Sequence, residues 1–280
     1  MEISSVAERL LPHLNPVRLC RDLWSQRVIL FHFARRDIAQ RYRGARFGVL
    51  WAFAQPLFLL CVYTLAFGII MQLRWPESRS PSLSEYAMAL YCGLAVFTIL
   101  SECVSRAPAL LMENRSYLKK AMFPVQVLPF CVVLAAVFHG VINLAVLTGL
   151  SSFINGFHVA TLALPLVLAP LCLLTCGLTL LLSCWGVLFR DLQQMTAPVL
   201  LALFFLSPIV YSPSIVPARW GWVIRLNPLA FTITSVRDLI MWKGSLNWCE
   251  LGVWTLLCFG FFMFGFAVFM RMKSPVTDRV

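Results

Sequence analysis

From Ala121 to Phe189 the chain runs for 69 residues without a formal charge. A soluble fold cannot cover itself with so little charge over such a length, whereas a bilayer-spanning segment requires it. At about 1.5 Å per residue the run can cross a roughly 30 Å hydrocarbon layer twice, with a turn between the crossings. Asn155-Gly156 and His158 supply the polar interruption, which places spans at about 126–148 and 162–188.

Further apolar runs extend the pattern. Phe47 to Leu73 is charge-free, Tyr86 to Ser105 is broken only by Glu102, and Leu192 to Ala218 loses its membrane character near Pro208-Ile209-Val210-Tyr211-Ser212-Pro213. Leu251 to Met270 is the last run. The expected fold is an all-α integral membrane protein. Its six transmembrane helices lie at about 47–73, 86–105, 126–148, 162–188, 195–212 and 251–270, within a 47–270 membrane domain. Residues 1–46 form an arm and 271–280 a tail. With 60% apolar and 12% charged residues, the chain carries half the charge of a soluble domain, at about 25%. An ordinary soluble enzyme, a disordered chain and a secreted disulfide scaffold are excluded.

Six crossings put both termini on one side, and Lys and Arg choose which. Of the 23 basic residues, 17 lie on the side of the termini and six on the other, so both termini are expected in the cytoplasm. The net charge of +11 is therefore juxtamembrane, directed at anionic headgroups and not at nucleic acid. The first apolar stretch begins only at Phe47, so no cleavable signal is read and the first span acts as its own insertion signal. Nine of ten cysteines fall in the arm or within spans, which argues against a disulfide framework.

Asn15-Pro16 is a helix start, and Cys20, Trp24, Val28, Phe31, Ala34, Ile38 and Tyr42 fall on one face at 100° per residue. Arg21, Ser25, Arg36, Gln40 and Arg43 lie opposite, while Arg27 and Arg35 snorkel. An amphipathic helix on the membrane surface, contacting lipid, is expected, with packing on a soluble partner as the alternative. In loop 106–122, Leu110, Leu111, Asn114 and Leu118 share a face of a short helix, which predicts an exposed apolar knob among charges or else a plain connector. Glu102 and Arg106 pair at i,i+4, and Ser82 to Glu85 is a capping box. In 213–245, two pieces too short to span and too apolar to float are read as helices dipping into or lying on the outer leaflet, the second starting at Asn227-Pro228.

Catalysis has little to stand on. There is no Gly-Lys pair and hence no phosphate-binding loop, no paired carboxylate in a span, and no His in a ligand constellation. Cys172 and Cys176 lack the further ligands a metal needs. No catalytic residue, metal or cofactor is assigned to this chain. His139 and Asn143 are expected to hydrogen-bond between helices. Aromatic residues are plentiful instead: Phe53, Phe58, Tyr63 and Phe67 in span one, and Phe204, Phe205 and Tyr211 in span five. Such flat apolar faces suit sugar C–H surfaces as well as lipid or core packing.

Arg35-Arg36-Asp37-Ile38, Arg41-Tyr42-Arg43, Gly48-Val49-Leu50-Trp51-Ala52 and Gln55-Pro56-Leu57 resemble the opening signature of ABC-2 permeases that export polysaccharides. The likeness continues at Asn114-Arg115, Leu118-Lys119-Lys120, Phe123-Pro124, Phe189-Arg190-Asp191-Leu192, Ser207-Pro208-Ile209-Val210-Tyr211 and Leu226-Asn227-Pro228-Leu229, over roughly residues 30–245.

The resemblance implies a homodimer in the bacterial inner membrane with two copies of a separate ATP-binding cassette subunit, which would hold ATP and Mg. It implies a coupling segment at Glu113, Asn114, Arg115, Leu118 and Lys119, and an interface helix with Trp24, Arg35, Arg36, Asp37, Arg41 and Tyr42. It also implies a channel lined by Phe53, Tyr63, Phe67, Phe204, Phe205 and Tyr211, and a periplasmic gate with Trp220, Trp222, Asn227, Pro228, Arg237 and Asp238. The cargo implied is a lipid-linked polysaccharide, nearer the O-antigen and teichoic-acid type than capsule. The alternatives are an ABC-2 drug or lipid exporter and a membrane-embedded transferase whose candidate site is Arg237 and Asp238.

Overall fold

The computed structural model describes residues 21, 24–42, 50–76, 82–118, 123–156, 159–242, 244 and 246–277. The helix start at Asn15-Pro16, the beginning of span one, His158 and Lys119 lie outside the described residues, as does the side chain of Tyr42. The described chain is helical with no strand: α1 (Arg27–Tyr42), α2 (Trp51–Tyr63, continuing as a π-helical stretch to Ile70), α3 (Leu83–Arg106), α4 (Leu110–Glu113) and α5 (Arg115–Leu118). These are followed by α6 (Val127–Asn155), α7 (Leu164–Leu188), α8 (Leu192–Leu206), α9 (Gly221–Arg225), α10 (Pro228–Arg237) and α11 (Trp248–Thr277).

Five helical stretches are long and apolar enough to cross a membrane: Phe53–Ile70, Leu83–Arg106, Val127–Phe153, Val159–Leu188 and Trp248–Lys273. The chain is an all-α membrane protein. Helix α8, with 15 residues, is shorter and reaches only about 22 Å. It stops where Pro208 forces Ser207 out of helical geometry, to ψ 146°.

Local sequence explains the element ends. Ser82 Oγ accepts from the Glu85 amide at 3.2 Å and caps α3. Gly156 ends α6 at φ +79°, a conformation that side chains disfavour. Asn227 Oδ1 accepts from Leu229 N at 3.0 Å while Pro228 occupies the first position of α10. Asn227 Nδ2 also donates to Ser207 Oγ at 2.9 Å, tying the start of α10 to the end of α8. Asn227→Ala is expected to lower unfolding stability in detergent by about 1–2 kcal/mol, with Asn227→Ser recovering part of it, as thermal melts would measure.

Helix α3 is the centre of the bundle, buried along most of its length and packed by α6, α7 and α10. Helices α7 and α11 pack tightly because small residues face each other: a Cβ on Gly265 would lie 2.7 Å from the Gly177 carbonyl oxygen. Helix α2 lies on the outside and α8 exposes Met195, Val199, Leu201, Phe205 and Leu206.

Two expectations are narrowed. Of the two placements expected for α10, lying on the leaflet surface is excluded, for Leu229, Ala230, Phe231, Ile233 and Val236 are buried and the helix packs between α3 and α7. Helix α1 has a buried flank that the amphipathic projection met only at Ala34. Leu30, Phe33 and Ala34 pack on Val127 and Cys131 of α6, while Trp24, Val28 and Phe31 point outward. The two helices run parallel: Gln126 donates to Gln26 at 3.3 Å, Cys131 to the Leu30 carbonyl at 3.5 Å, and Arg41 lies 3.1 Å from His139.

Candidate functional site

Two residues that the projection of α1 left unassigned, Asp37 and Arg41, build a charge cluster against the bundle. Asp37 and Arg41, one turn apart, meet Glu102 and Arg106 of α3, also one turn apart, and His139 of α6. Arg41 bonds Glu102 at 2.7 Å, Arg106 bonds Asp37 at 2.5 Å and Glu102 at 3.5 Å, and His139 Nδ1 lies 3.2 Å from Glu102. Glu102 is the hub, since three elements converge on its carboxylate. Its side chain is 12% exposed, against 42% for Arg41, so the pairs sit at the edge of the bundle and not in bulk water. The hydrogen bonding between helices expected of His139 and Asn143 is present: His139 meets Glu102, and Asn143 accepts from Tyr91 of α3 at 3.3 Å.

This cluster walls one end of a cavity of about 640 Å³ between α1, α2, α3 and α8. Around the charges are Gln40, Gln55, Thr98, Ser101 and Ser105. The other end is apolar, formed by Leu59, Tyr63, Leu94, Phe97, Leu200 and Phe204. The rings are in mutual contact: Tyr63 to Phe204 at 5.7 Å, Phe97 to Phe204 at 5.3 Å in an edge arrangement, and Tyr63 to Phe67 at 6.1 Å. Phe205 stands perpendicular to Phe204 at 5.2 Å and is half exposed. Of the aromatic residues singled out in the sequence, Tyr63 and Phe204 line this cavity, Phe67 and Phe205 border those rings, and Phe53 and Tyr211 do not line it. Tyr211 donates to the Phe205 carbonyl at 3.0 Å. Phe97 was missed, although its place six residues before Cys103 in an apolar span was visible.

The 106–122 loop is not an exposed apolar knob. Leu110 and Leu111 are buried, Leu118 packs against the same core, and Asn114 Nδ2 donates to the Leu110 carbonyl at 2.9 Å, folding α4 and α5 onto the bundle. What faces out is Met112, Glu113, Arg115 and Ser116. The loop is joined to α1 through Arg36, which donates to the Tyr117 hydroxyl at 2.6 Å and lies over the rings of Phe33 and Tyr117 at 4.5 and 5.1 Å. Trp24 and Arg35 are exposed.

At the far end, Arg237 is fully buried. Its Nε donates to Ala89 O at 2.8 Å, and its terminal nitrogens donate to Pro208 O at 2.5 Å and Ile209 O at 2.7 Å, with Trp75 stacked 4.3 Å away. Tyr86 donates to Val210 O at 3.0 Å. Non-helical backbone at membrane depth must have its carbonyls satisfied within the protein, and these two side chains do that where α8 ends. Arg237 is therefore a structural clamp with no nitrogen left for a substrate, and Asp238 is half-buried beside it. Trp220 and Trp222 are exposed, as membrane-interface tryptophans are.

Among the described residues no group of three or more His, Cys, Asp or Glu is placed to hold a metal. Comparison with known proteins agrees with a transport architecture. The chain is 25% identical over 253 residues to an O-antigen export system permease protein of Klebsiella pneumoniae, covering 89% of this chain and 94% of that protein. It is 29% identical over 226 residues to an O-antigen export system permease protein of Myxococcus xanthus (80% and 84%). It is 23% identical over 218 residues to a polysialic acid transport protein of Escherichia coli (77% and 82%). Residues 30–241, which include most of α1, the polar cavity, the aromatic wall and the Arg237 clamp, match the ABC-2 type transporter family, and the chain belongs to it.

Proposed function

We propose that this chain is the membrane-spanning permease subunit of an ATP-driven exporter that carries a lipid-linked polysaccharide of O-antigen type outward across the bacterial inner membrane. The observation that carries the reading is the similarity, along four-fifths or more of the chain, to permeases named for O-antigen export. The lower-identity match to a polysialic acid transport protein keeps a capsule glycan as the second reading. The chain has no phosphate-binding loop, so ATP and Mg belong to a separate ATP-binding cassette subunit, present in two copies beside a permease homodimer. In this arrangement the excess of basic residues keeps both termini, α1 and the 106–122 loop in the cytoplasm. Helix α8 and the clamped segment after it complete the sixth crossing, and the gate region faces the periplasm.

Met112, Glu113, Arg115 and Ser116 are the surface on which the ATP-binding subunit docks, with Asn114 and Leu118 holding that surface in shape. Motion of α5 passes to α1 through Arg36–Tyr117, and from α1 to the cavity through Asp37–Arg106 and Arg41–Glu102. Neighbouring residues in the C-terminal half of one rigid helix thereby connect the docking surface to the conduit. The test is purification from the native membrane with the glycan export measured in parallel. An ATP-binding subunit is expected to copurify in equal amount, and Glu113→Ala/Arg115→Ala is expected to cut export at least tenfold with normal permease levels. Normal export by that variant would remove the docking assignment. A permease that never copurifies a nucleotide-binding partner would remove the exporter. Leu118→Asp is the weaker probe, because Leu118 is part of the core and its loss unfolds the loop as well.

A further inference from the structure

The turn between α7 and α8 carries Phe189-Arg190-Asp191-Leu192, a motif that neither the docking surface nor the polar cavity uses. The turn borders a groove of about 470 Å³. Its walls are apolar, formed by Trp185 and Leu188 of α7, by Phe189, and by Leu192 and Met195 of α8. Phe189 is 65% exposed and Trp185 and Met195 are exposed as well, so the groove stands open among the described residues. Gly186 packs directly against Pro108, which puts the groove at the same end of the bundle as the 106–122 loop. In the orientation of the exporter reading, on which this inference rests, that end meets the headgroups of the cytoplasmic leaflet.

Two opposite charges stand in this groove, Arg190 and Asp191. Both are exposed, and neither side chain has an ion pair or hydrogen bond among the described residues. Asp191 directly precedes α8, where an Asp side chain ordinarily accepts from the first amides of the helix, yet it makes no such bond. Adjacent Cα atoms are about 3.8 Å apart, so the groove shows a cation and an anion side by side on an apolar floor. A lone phosphate would be repelled by Asp191, and a lone cation by Arg190. A headgroup carrying both charges, a phosphate joined through two carbons to a primary ammonium, satisfies both: the guanidinium donates to the phosphate and the ammonium donates to the carboxylate. A course for acyl tails is present too. Met195, Val199, Ala202 and Leu206 are exposed and share one face of α8, a stripe of about 16 Å that matches the roughly 15 Å hydrocarbon depth of one leaflet. Leu200 and Phe204, which line the polar cavity, lie on the other side of α8, so the stripe is not part of that cavity.

We propose that the α7–α8 groove binds phosphatidylethanolamine of the cytoplasmic leaflet, with its phosphate on Arg190, its ammonium on Asp191 and its tails along α8. Headgroup and glycerol occupy the groove between Trp185 and Phe189, and the tails lie outside it on the Met195–Leu206 stripe.

The test uses the full chain, with any subunit that copurifies, in dodecyl maltoside with phosphatidylethanolamine carrying a diazirine in its acyl chain. Crosslinks are expected near Trp185 and on α8 from Met195 to Leu206, at least fivefold above those on the exposed Val253, Leu256 and Leu257 of α11. Unlabelled phosphatidylethanolamine is expected to compete at least fivefold better than phosphatidylglycerol, which has the phosphate and no ammonium. Asp191→Asn is expected to erase that preference, and Arg190→Gln to lower crosslinking at least fivefold. Both side chains are exposed, so the gel-filtration profile of either variant is expected to be unchanged. Should a variant fail to fold, the wild-type competition decides alone. Even labelling of α7, α8 and α11, or equal competition by the two lipids in the wild-type chain, overturns the site. Loss of a copurifying ATP-binding subunit from Arg190→Gln/Asp191→Asn, with crosslinking unchanged, also overturns it and makes the turn a protein contact. ATP-dependent export by a chain whose labelling is even removes the lipid site alone. The expected labelling in a chain with no nucleotide-binding partner removes the exporter and leaves the lipid site standing.

Discussion

Arg237→Met is expected to leave almost no folded protein in the membrane. The guanidinium is fully buried and spends its donors on the carbonyls of Ala89, Pro208 and Ile209, which belong to α3 and to the unwound end of α8. Methionine fills similar volume but leaves the non-helical Pro208 and Ile209 carbonyls without a donor, while Ala89 keeps its helical partner. Each unsatisfied buried group costs about 1–3 kcal/mol, so the sum of about 2–6 kcal/mol is a large share of the roughly 5–15 kcal/mol that a folded protein has in hand. Arg237→Lys is expected to fail nearly as badly. An ammonium group is a compact point charge and cannot reproduce a planar fork aimed at three separate carbonyls, nor stack on Trp75 at 4.3 Å. Fluorescence-detected gel filtration and thermal melts in detergent measure both variants against Tyr86→Phe, which frees only the Val210 carbonyl and is expected to cost about 1–2 kcal/mol. A wild-type melting temperature for Arg237→Met would show that the clamp contributes nothing.

That arginine also marks where the sequence stops being readable. Runs without charge disclosed the long spans because bilayer burial is a property of composition, and the caps at Ser82, Gly156 and Asn227 were local and therefore visible. Arg237 next to Asp238 looked like the makings of a reactive pair. Its actual partners are main-chain carbonyls on two other elements, and carbonyls leave no mark in a sequence. The same blindness hid the burial of α10. A ten-residue apolar helix on the membrane surface and one packed between α3 and α7 have the same composition, and only the tertiary placement separates them.

Helix α1 was legible by half. The projection found its outward stripe at Trp24, Val28 and Phe31, yet assigned Arg36 to water when it packs between Phe33 and Tyr117. Glu102 and Arg106 could be paired from their spacing alone. That Arg41, Asp37 and His139 would join them required knowing that α1 runs parallel to α6, and no periodicity within one helix carries that information. The cavity itself is a product of four elements distant in sequence, so its individual residues could be guessed and its enclosure could not.

The second large effect follows from that convergence. Glu102→Ala is expected to release α1 from the bundle while leaving the spans inserted. Removing the carboxylate strips Arg41 of its counter-ion at 2.7 Å, leaves Arg106 with Asp37 only, and deprives His139 of its acceptor at 3.2 Å. Breaking a fully buried pair from one side costs about 3–5 kcal/mol. Arg41 and Arg106 are 42% and 38% exposed, so water recovers part of that and about 2 kcal/mol is the expected loss. Two kcal/mol at the docking of one helix is a roughly thirtyfold rise in its open population. Trypsin reads this directly, since Arg35, Arg36 and Arg41 lie within α1 and are cut only when the helix opens. Glu102→Ala is expected to be cleaved there roughly thirty times faster, Glu102→Gln by an intermediate factor because its amide oxygen still accepts from Arg41, and Glu113→Ala at the wild-type rate because it faces outward. Combining Glu102→Ala with Arg41→Ala should cost less than the sum of the two, since the cation stranded by the first change is removed by the second. If Glu102→Ala is cut no faster than wild type, α1 is held by its Leu30, Phe33 and Ala34 contacts with the Arg36–Tyr117 and Asp37–Arg106 bonds, and the Arg41–Glu102 pair cannot be what transmits its movement to the cavity.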